Sequence, residues 1–129
     1  MAVIPLISHT DPDSVFAYRE GQAVSVATFL AQVAHLAQNL PDRSHILNLC
    51  TDRYRFAVGF AAALVRRQTS LLPPNYTPNF VEHLGQRYPG MFCLADGEVD
   101  FPEVEVVHRR LRIGKRHLPD VAAVGLDRK

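Results

Sequence analysis

Short apolar runs alternate with amphipathic segments along this chain, and that alternation limits the folds open to it. His45 to Cys50 (HILNLC), Ser70 to Leu72 (SLL), Met91 to Ala95 (MFCLA) and Val121 to Val124 (VAAV) read as strands, and Val104 to Val107 ends an acidic loop that begins at Asp96. These runs are continuous rather than alternating in polarity, as expected for strands covered on both faces. Helical spacing fills the intervals. Ser25 is placed to cap a helix in which Phe29, Val33, Leu36 and Leu40 form a one-sided stripe, and Pro41-Asp42 ends it. Asp52 opens a second helix. Its expected buried face is Phe56, Phe60, Ala63 and Leu64, with Arg66 and Arg67 in the last turn, where the helix dipole favours cations. Thr77-Pro78 opens a third, with Val81, Leu84 and Tyr88 inside and Pro89-Gly90 as its stop. Near the N-terminus, Phe16 to Tyr18 and Gln22 to Val24 flank Arg19-Glu20-Gly21 as a small hairpin.

Strand–helix alternation of this kind predicts an α/β fold. The expected architecture is three-layered, with a mainly parallel sheet of about four or five strands and three right-handed crossover helices. The 129 residues make one domain's worth of chain, read as a single unit over 1–129.

Composition excludes more than it assigns. A net charge of +1 gives no global attraction to nucleic acid or membrane. No apolar stretch approaches the ~18 residues that a membrane span needs. The N-terminus has no basic segment leading into a long apolar one, so it does not read as a signal peptide, and the cytoplasm is the expected location. Cys50 and Cys93 are too few for a disulfide framework and read as reduced, half-buried strand residues. The segment HRRLRIGKRH (108–117) is basic, but it has no aromatics to stack bases, and the acids of 96–105 precede it. It reads as a solvated linker.

The sequence is equally spare in catalytic motifs. Its seven glycines are isolated, and neither a GxGxxG nor a GxxxxGK[ST] loop is present. There is no GxSxG elbow, no HxH or HxxxH pair and no CxxC pair, so no catalytic, cofactor-binding or metal-ligating residue is assigned. His35 lies mid-helix as a packed or surface residue. Two places remain as substrate or anion contacts. Asp52, Arg53 and Arg55 open a helix at the carboxyl end of a strand, where α/β sheets place ligands. The plainer reading there is a capping aspartate with solvated arginines. Asn75, in the turn Pro73-Pro74-Asn75-Tyr76, could line a cleft or simply belong to a rigid turn.

The order of the pieces resembles a known family. AVSVATFLAQVAHLAQNL (23–40) resembles the strand-into-helix opening of the adenylate-forming enzymes, the acyl-CoA synthetase or AMP-ligase family. ILNLCTDRYRFAVGFAAALVRRQTSLLPPNYTP (46–78) resembles their next strand, alanine-faced helix, short strand and proline- and asparagine-bearing turn. Phe92 to Asp96 (FCLAD) is similar to the strand that follows, and VAAVG (121–125) to the run before the family's Ser/Thr/Gly-rich phosphate loop. The wording from Asn48 to Phe56 (NLCTDRYRF) resembles bacterial AMP-ligases of the aryl-polyene or xanthomonadin type. The resemblance spans about residues 14 to 126 and covers scaffold; the family's ATP loop and catalytic lysine have no counterpart here. It therefore implies the N-terminal subdomain of an enzyme that uses ATP and Mg²⁺ to activate a carboxylic acid, inactive alone. Open sheet edges and apolar surface lead us to expect self-association or a partner chain carrying the rest of the enzyme, and the charge pattern no nucleic acid or membrane partner. The alternative is a non-catalytic binding or assembly module that pairs with a partner chain or binds a small anionic ligand.

Overall fold

A computed structural model of the chain describes residues 3–97, 99, 105–108 and 125–127. After a short strand β1 (Val3–Pro5), β2 (Val15–Arg19) and β3 (Gln22–Ser25) form the expected hairpin. Its two-residue turn has positive φ at both Glu20 (50°) and Gly21 (78°), the geometry whose twist suits a tight hairpin. The chain passes straight from β3 into α1 (Val26–Asn39). The Ser25 hydroxyl caps that helix by accepting from the Thr28 amide at 3.1 Å. Phe29, Val33, Leu36 and Leu40 are all buried, as the stripe predicts.

The remaining elements build the main sheet. They are β4 (His45–Asn48), α2 (Arg53–Val65), β5 (Thr69–Leu71), α3 (Pro78–Arg87), β6 (Met91–Ala95) and β7 (Val106–His108). The strands lie in the order β5-β4-β6-β7, and every pair is parallel. Residues of β6 are buried throughout, and alternate ones belong to different cores. Phe92 and Leu94 join Ile46 against α1 and α2. Met91 and Cys93 join Leu47 against Val81 of α3, with Leu84 and Tyr88 alongside. The helices therefore cover both faces, as continuous apolar strands require. No helix among the described residues is long and apolar enough to cross a membrane.

The two free cysteines fall on opposite faces of the sheet. Cys50 packs with Ile46 and Phe92, whereas Cys93 packs with Leu47 and Val81. Both are buried rather than half-buried, Cys93 completely so. Burial pushes the Cys93 thiol up to about 11, which keeps it protonated and unreactive at neutral pH.

Several expectations need correction. The buried face of α2 is Tyr54, Val58, Gly59, Ala61, Ala62 and Ala63, whereas Phe60 and Leu64 are 36% and 39% exposed. The cause is a close approach to the sheet. A Cβ on Gly59 would lie 2.7 Å from Asn48 Nδ2 and 2.7 Å from Leu94 Cδ2, so only small residues fit on that side. Arg66 and Arg67 follow the helix instead of occupying its last turn. The Arg66 guanidinium serves a different helix end, donating to the carbonyls of Ala37 (2.6 Å) and Leu40 (2.7 Å) at the close of α1. Strand β4 ends at Asn48, because the Asn48 side chain then accepts from the Cys50 amide and turns the backbone. The run Ser70 to Leu72 begins and ends one residue earlier, as β5. The strand expected at Val121 to Val124 and the basic segment from Arg109 to His117 lie outside the described residues. A short strand β8 (Gly125–Asp127) pairs antiparallel with β1, bringing the two ends of the chain together, and nothing in the sequence pattern anticipates that pairing.

Helix α2 closes with a Schellman motif: Gln68 N–H donates to Ala63 O (2.9 Å) and Arg67 N–H to Leu64 O (3.0 Å). The left-handed position, normally glycine, is Arg67 at φ 58°. Replacing it should therefore release strain. Arg67→Gly is expected to raise stability by about 1 kcal/mol, seen as a higher urea midpoint at unchanged slope. Gly59→Ala should do the reverse. The gain of about 1 kcal/mol in helix propensity is outweighed by overpacking of about 1–3 kcal/mol against Asn48 and Leu94, giving a lower midpoint in the same titration.

Candidate functional site

The chain leaves β4 for β5 on one side and returns to β6 on the other, so the strand order reverses between β4 and β6. In α/β sheets ligands bind outside the carboxyl ends of the strands at such a reversal. Here that mouth is formed by the turn Leu49 to Asp52 after β4 and by Asp96 just after β6.

Two carboxylates meet at this point. Asp52 is the N-cap of α2: its Oδ2 accepts from the Arg55 amide at 3.0 Å and from the Arg19 guanidinium of the hairpin at 2.9 Å. Asp96 reaches across from β6 and accepts from the Thr51 amide (3.1 Å), the Asp52 amide (3.0 Å) and, more weakly, the Thr51 hydroxyl (3.3 Å). Burial alone would raise the Asp96 pKa, but these hydrogen bonds outweigh it and hold the carboxyl below its ordinary value. Amide donors from Thr51, Asp52 and Arg55 are thus taken by the chain's own acids.

Beneath the mouth lies a buried brace. Asn48 is 3% exposed and donates from Nδ2 to the Phe56 carbonyl of α2 at 3.0 Å. Beside it, the Arg19 guanidinium sits 4.9 Å from the centre of the Tyr54 ring. The Tyr54 hydroxyl donates to Gln32 of α1 at 2.6 Å. Hairpin, α1 and α2 are therefore clasped together at the carboxyl end of the sheet. Sequence reasoning singled out Asp52 but missed Arg19 and Asp96 as its partners, and missed the Asn48 brace; no local pattern connects residues 33 and 44 positions apart.

The other sequence candidates are placed as follows. Arg53 is exposed on the first turn of α2, and Arg55 is partly buried beside it. Asn75 is exposed in the turn beyond β5. Its Oδ1 accepts from the amide (3.3 Å) and hydroxyl (3.0 Å) of Thr77, and that turn leads directly into α3. Among the described residues, no three His, Cys, Asp or Glu side chains are grouped to hold a metal ion.

No family profile matches the sequence, and no curated protein matches it. Solved structures do share its fold. The N-terminal subdomain of Klebsiella oxytoca NpsA, in complex with 3-hydroxybenzoyl-AMSN, superposes with a TM-score of 0.61 at 13% identity, covering 84% of this chain and 31% of that one. O-succinylbenzoate coenzyme A synthetase (MenE) from Bacillus subtilis, in complex with ATP and magnesium, superposes at 0.62 with 17% identity, covering 75% of this chain and 29% of that one. The same synthetase with its acyl-adenylate intermediate OSB-AMP gives 0.56 at 16% identity, over 81% of this chain and 27% of that one. The chain shares its fold with these proteins and spans less than a third of their length.

The Asp96 clamp generates a pH prediction. A carboxyl whose native pKa lies below its unfolded value of about 3.9 stabilises the fold fully above that value, and the contribution is lost as pH falls through the native pKa. Asp96→Asn, which cannot ionise, should unfold at a lower urea concentration than the parent at pH 7. The gap should close as the pH drops below the ordinary carboxylate range. Parallel stability curves for the two proteins down to pH 2 would show that Asp96 is not the clamp.

Proposed function

We propose that this chain is the N-terminal portion of an AMP-ligase, an acyl-CoA synthetase-like protein closest to the bacterial aryl-polyene or xanthomonadin type. Its role there is to scaffold the ATP-dependent activation of a carboxylic acid in the cytoplasm. The observation that carries this reading is the shared fold: 84% of the chain superposes on an N-terminal subdomain of an adenylate-forming enzyme. The order of sequence pieces from about residue 14 to 126 supports it independently.

Alone, the chain is inactive on this reading. Adenylate formation demands donors and cations arranged around the reacting phosphates. This sequence has no glycine-rich phosphate loop, and its best-placed helix N-terminus is filled by Asp52 and Asp96. ATP and Mg²⁺ are then bound by a partner chain or by further residues of a longer polypeptide. Among the described residues, β5 and β7 are the edge strands of the main sheet, and edges of this kind invite association.

Two measurements test this. The DNA beyond codon 129, read in all three frames, should encode a Thr/Ser/Gly-rich loop within a few dozen codons; finding none there or in an adjacent frame counts against the ligase reading. ATP–pyrophosphate exchange with a panel of aryl and aliphatic acids should be absent for the chain alone and appear when that downstream segment is co-expressed. Exchange by the chain alone would overturn the scaffold role.

A further inference from the structure

The surface that sequence reasoning expected to be buried is a distinctive one. Arg53, Phe56, Phe60, Leu64 and Arg67 recur at helical intervals along one side of α2 and its C-terminal turn. Phe60 and Leu64 are 36% and 39% exposed, and half-buried Phe56 stacks on Phe60 with ring centroids 6.4 Å apart. Arg53 and Arg67 close the stripe at its two ends. Both are exposed, and among the described residues neither joins an ion pair. No acid occurs within α2, and Asp52 at its cap is already engaged by Arg19.

We propose that this face of α2 docks an acidic amphipathic helix of a partner protein. Charge complementarity selects the partner. An apolar centre flanked by cations on a helix that itself carries no acid selects an apolar centre with an anion at each end. Arg53 opens α2 and Arg67 lies two residues past its end at Val65, so the cations flank a 13-residue helix roughly 20 Å long, and the partner's acids must be several turns apart. A second copy of this chain is the poorer occupant. A self-complementary contact would bring arginine-bearing stripes together with no acid between them.

Arg67 adds an independent observation. It occupies the left-handed position of the Schellman motif, where glycine fits without strain. A cation is therefore held at the rim of the stripe at conformational expense, as is common where a side chain serves recognition.

This inference deepens the assembly part of the proposed function by naming the surface and the chemistry of its partner. Its test is separate from the ligase assay. The full chain is titrated against fluorescein-labelled synthetic helices carrying leucines at helical spacing and glutamates near both ends, and against the same peptide with lysines in their place. Fluorescence anisotropy should show binding of the glutamate peptide alone. That binding should weaken about tenfold as salt rises from about 50 to 500 mM. Leu64→Ser and Arg53→Gln should each weaken it about tenfold at unchanged circular dichroism. Arg67→Gly should weaken binding while raising the melting temperature, a split that a purely structural arginine would not produce. Equal binding of both peptides, no binding of either, or variants that bind like the parent would overturn the proposal. So would a dimer in sedimentation that Leu64→Ser dissolves, which would assign the face to a second copy. Pyrophosphate exchange on co-expression, with no peptide binding, would refute the docking surface and leave the ligase reading standing.

Discussion

The close seating of α2 on the sheet governs the rest of this structure. Gly59 lies directly over Asn48 and Leu94, with no room for even one added carbon. Two consequences follow from that single contact. The Asn48 amide is brought within reach of the Phe56 carbonyl, so the turn after β4 and the first turns of α2 are locked as one piece. The small residues Ala61, Ala62 and Ala63 are drawn inward, and the bulkier Phe60 and Leu64 are turned toward the outside. A helix with larger residues on its inner side would stand farther from the sheet, with its bulky side chains filling the gap. This one uses its own backbone as the packing surface.

Local chemistry was legible in the sequence; long-range chemistry was not. Ser25 and Asp52 could be read as caps because a cap acts on an amide three residues away. The face of α1 could be read because Phe29, Val33, Leu36 and Leu40 are interrupted by polar residues, so their period is visible. Strand β6 was bounded correctly because apolar MFCLA stands between Pro89-Gly90 and Asp96-Gly97. Helix α2 is different. The stretch FAVGFAAALV is apolar all the way round, so hydrophobicity carries no phase and only size distinguishes the faces. Weighting by size alone chooses the phenylalanines as core, which is the wrong side whenever a glycine marks a close approach. Asp96 as the clamp and the pairing of β1 with β8 depend on residues distant in sequence, which no spacing rule connects.

The carboxyl end of the sheet shows what kind of site this is. Ligand sites at a strand reversal usually leave helix-terminal amides free to meet a substrate. Here Asp96 takes the Thr51 and Asp52 amides, and Asp52 takes the Arg55 amide and the Arg19 cation. The groups that elsewhere bind are used internally to fasten β4, β6, α2 and the hairpin into a rigid unit. That internal use is consistent with the scaffold role proposed above.

The orientation of α2 then bears on how such a scaffold is completed. Covering a Leu or Phe side chain fully is worth about 1.5–3 kcal/mol, so leaving Phe60 and Leu64 partly open forgoes a fraction of that in the isolated chain. The close contact at Gly59 cannot be kept while those residues rotate inward, because one helix has one phase. The fold therefore trades apolar burial on the outside of α2 for a tight brace on its inside, and the difference is recovered only when another surface covers the stripe. On the docking proposal, the arginines flanking that stripe restrict which surface can do so, and the same geometry that builds the core would then set the terms of association.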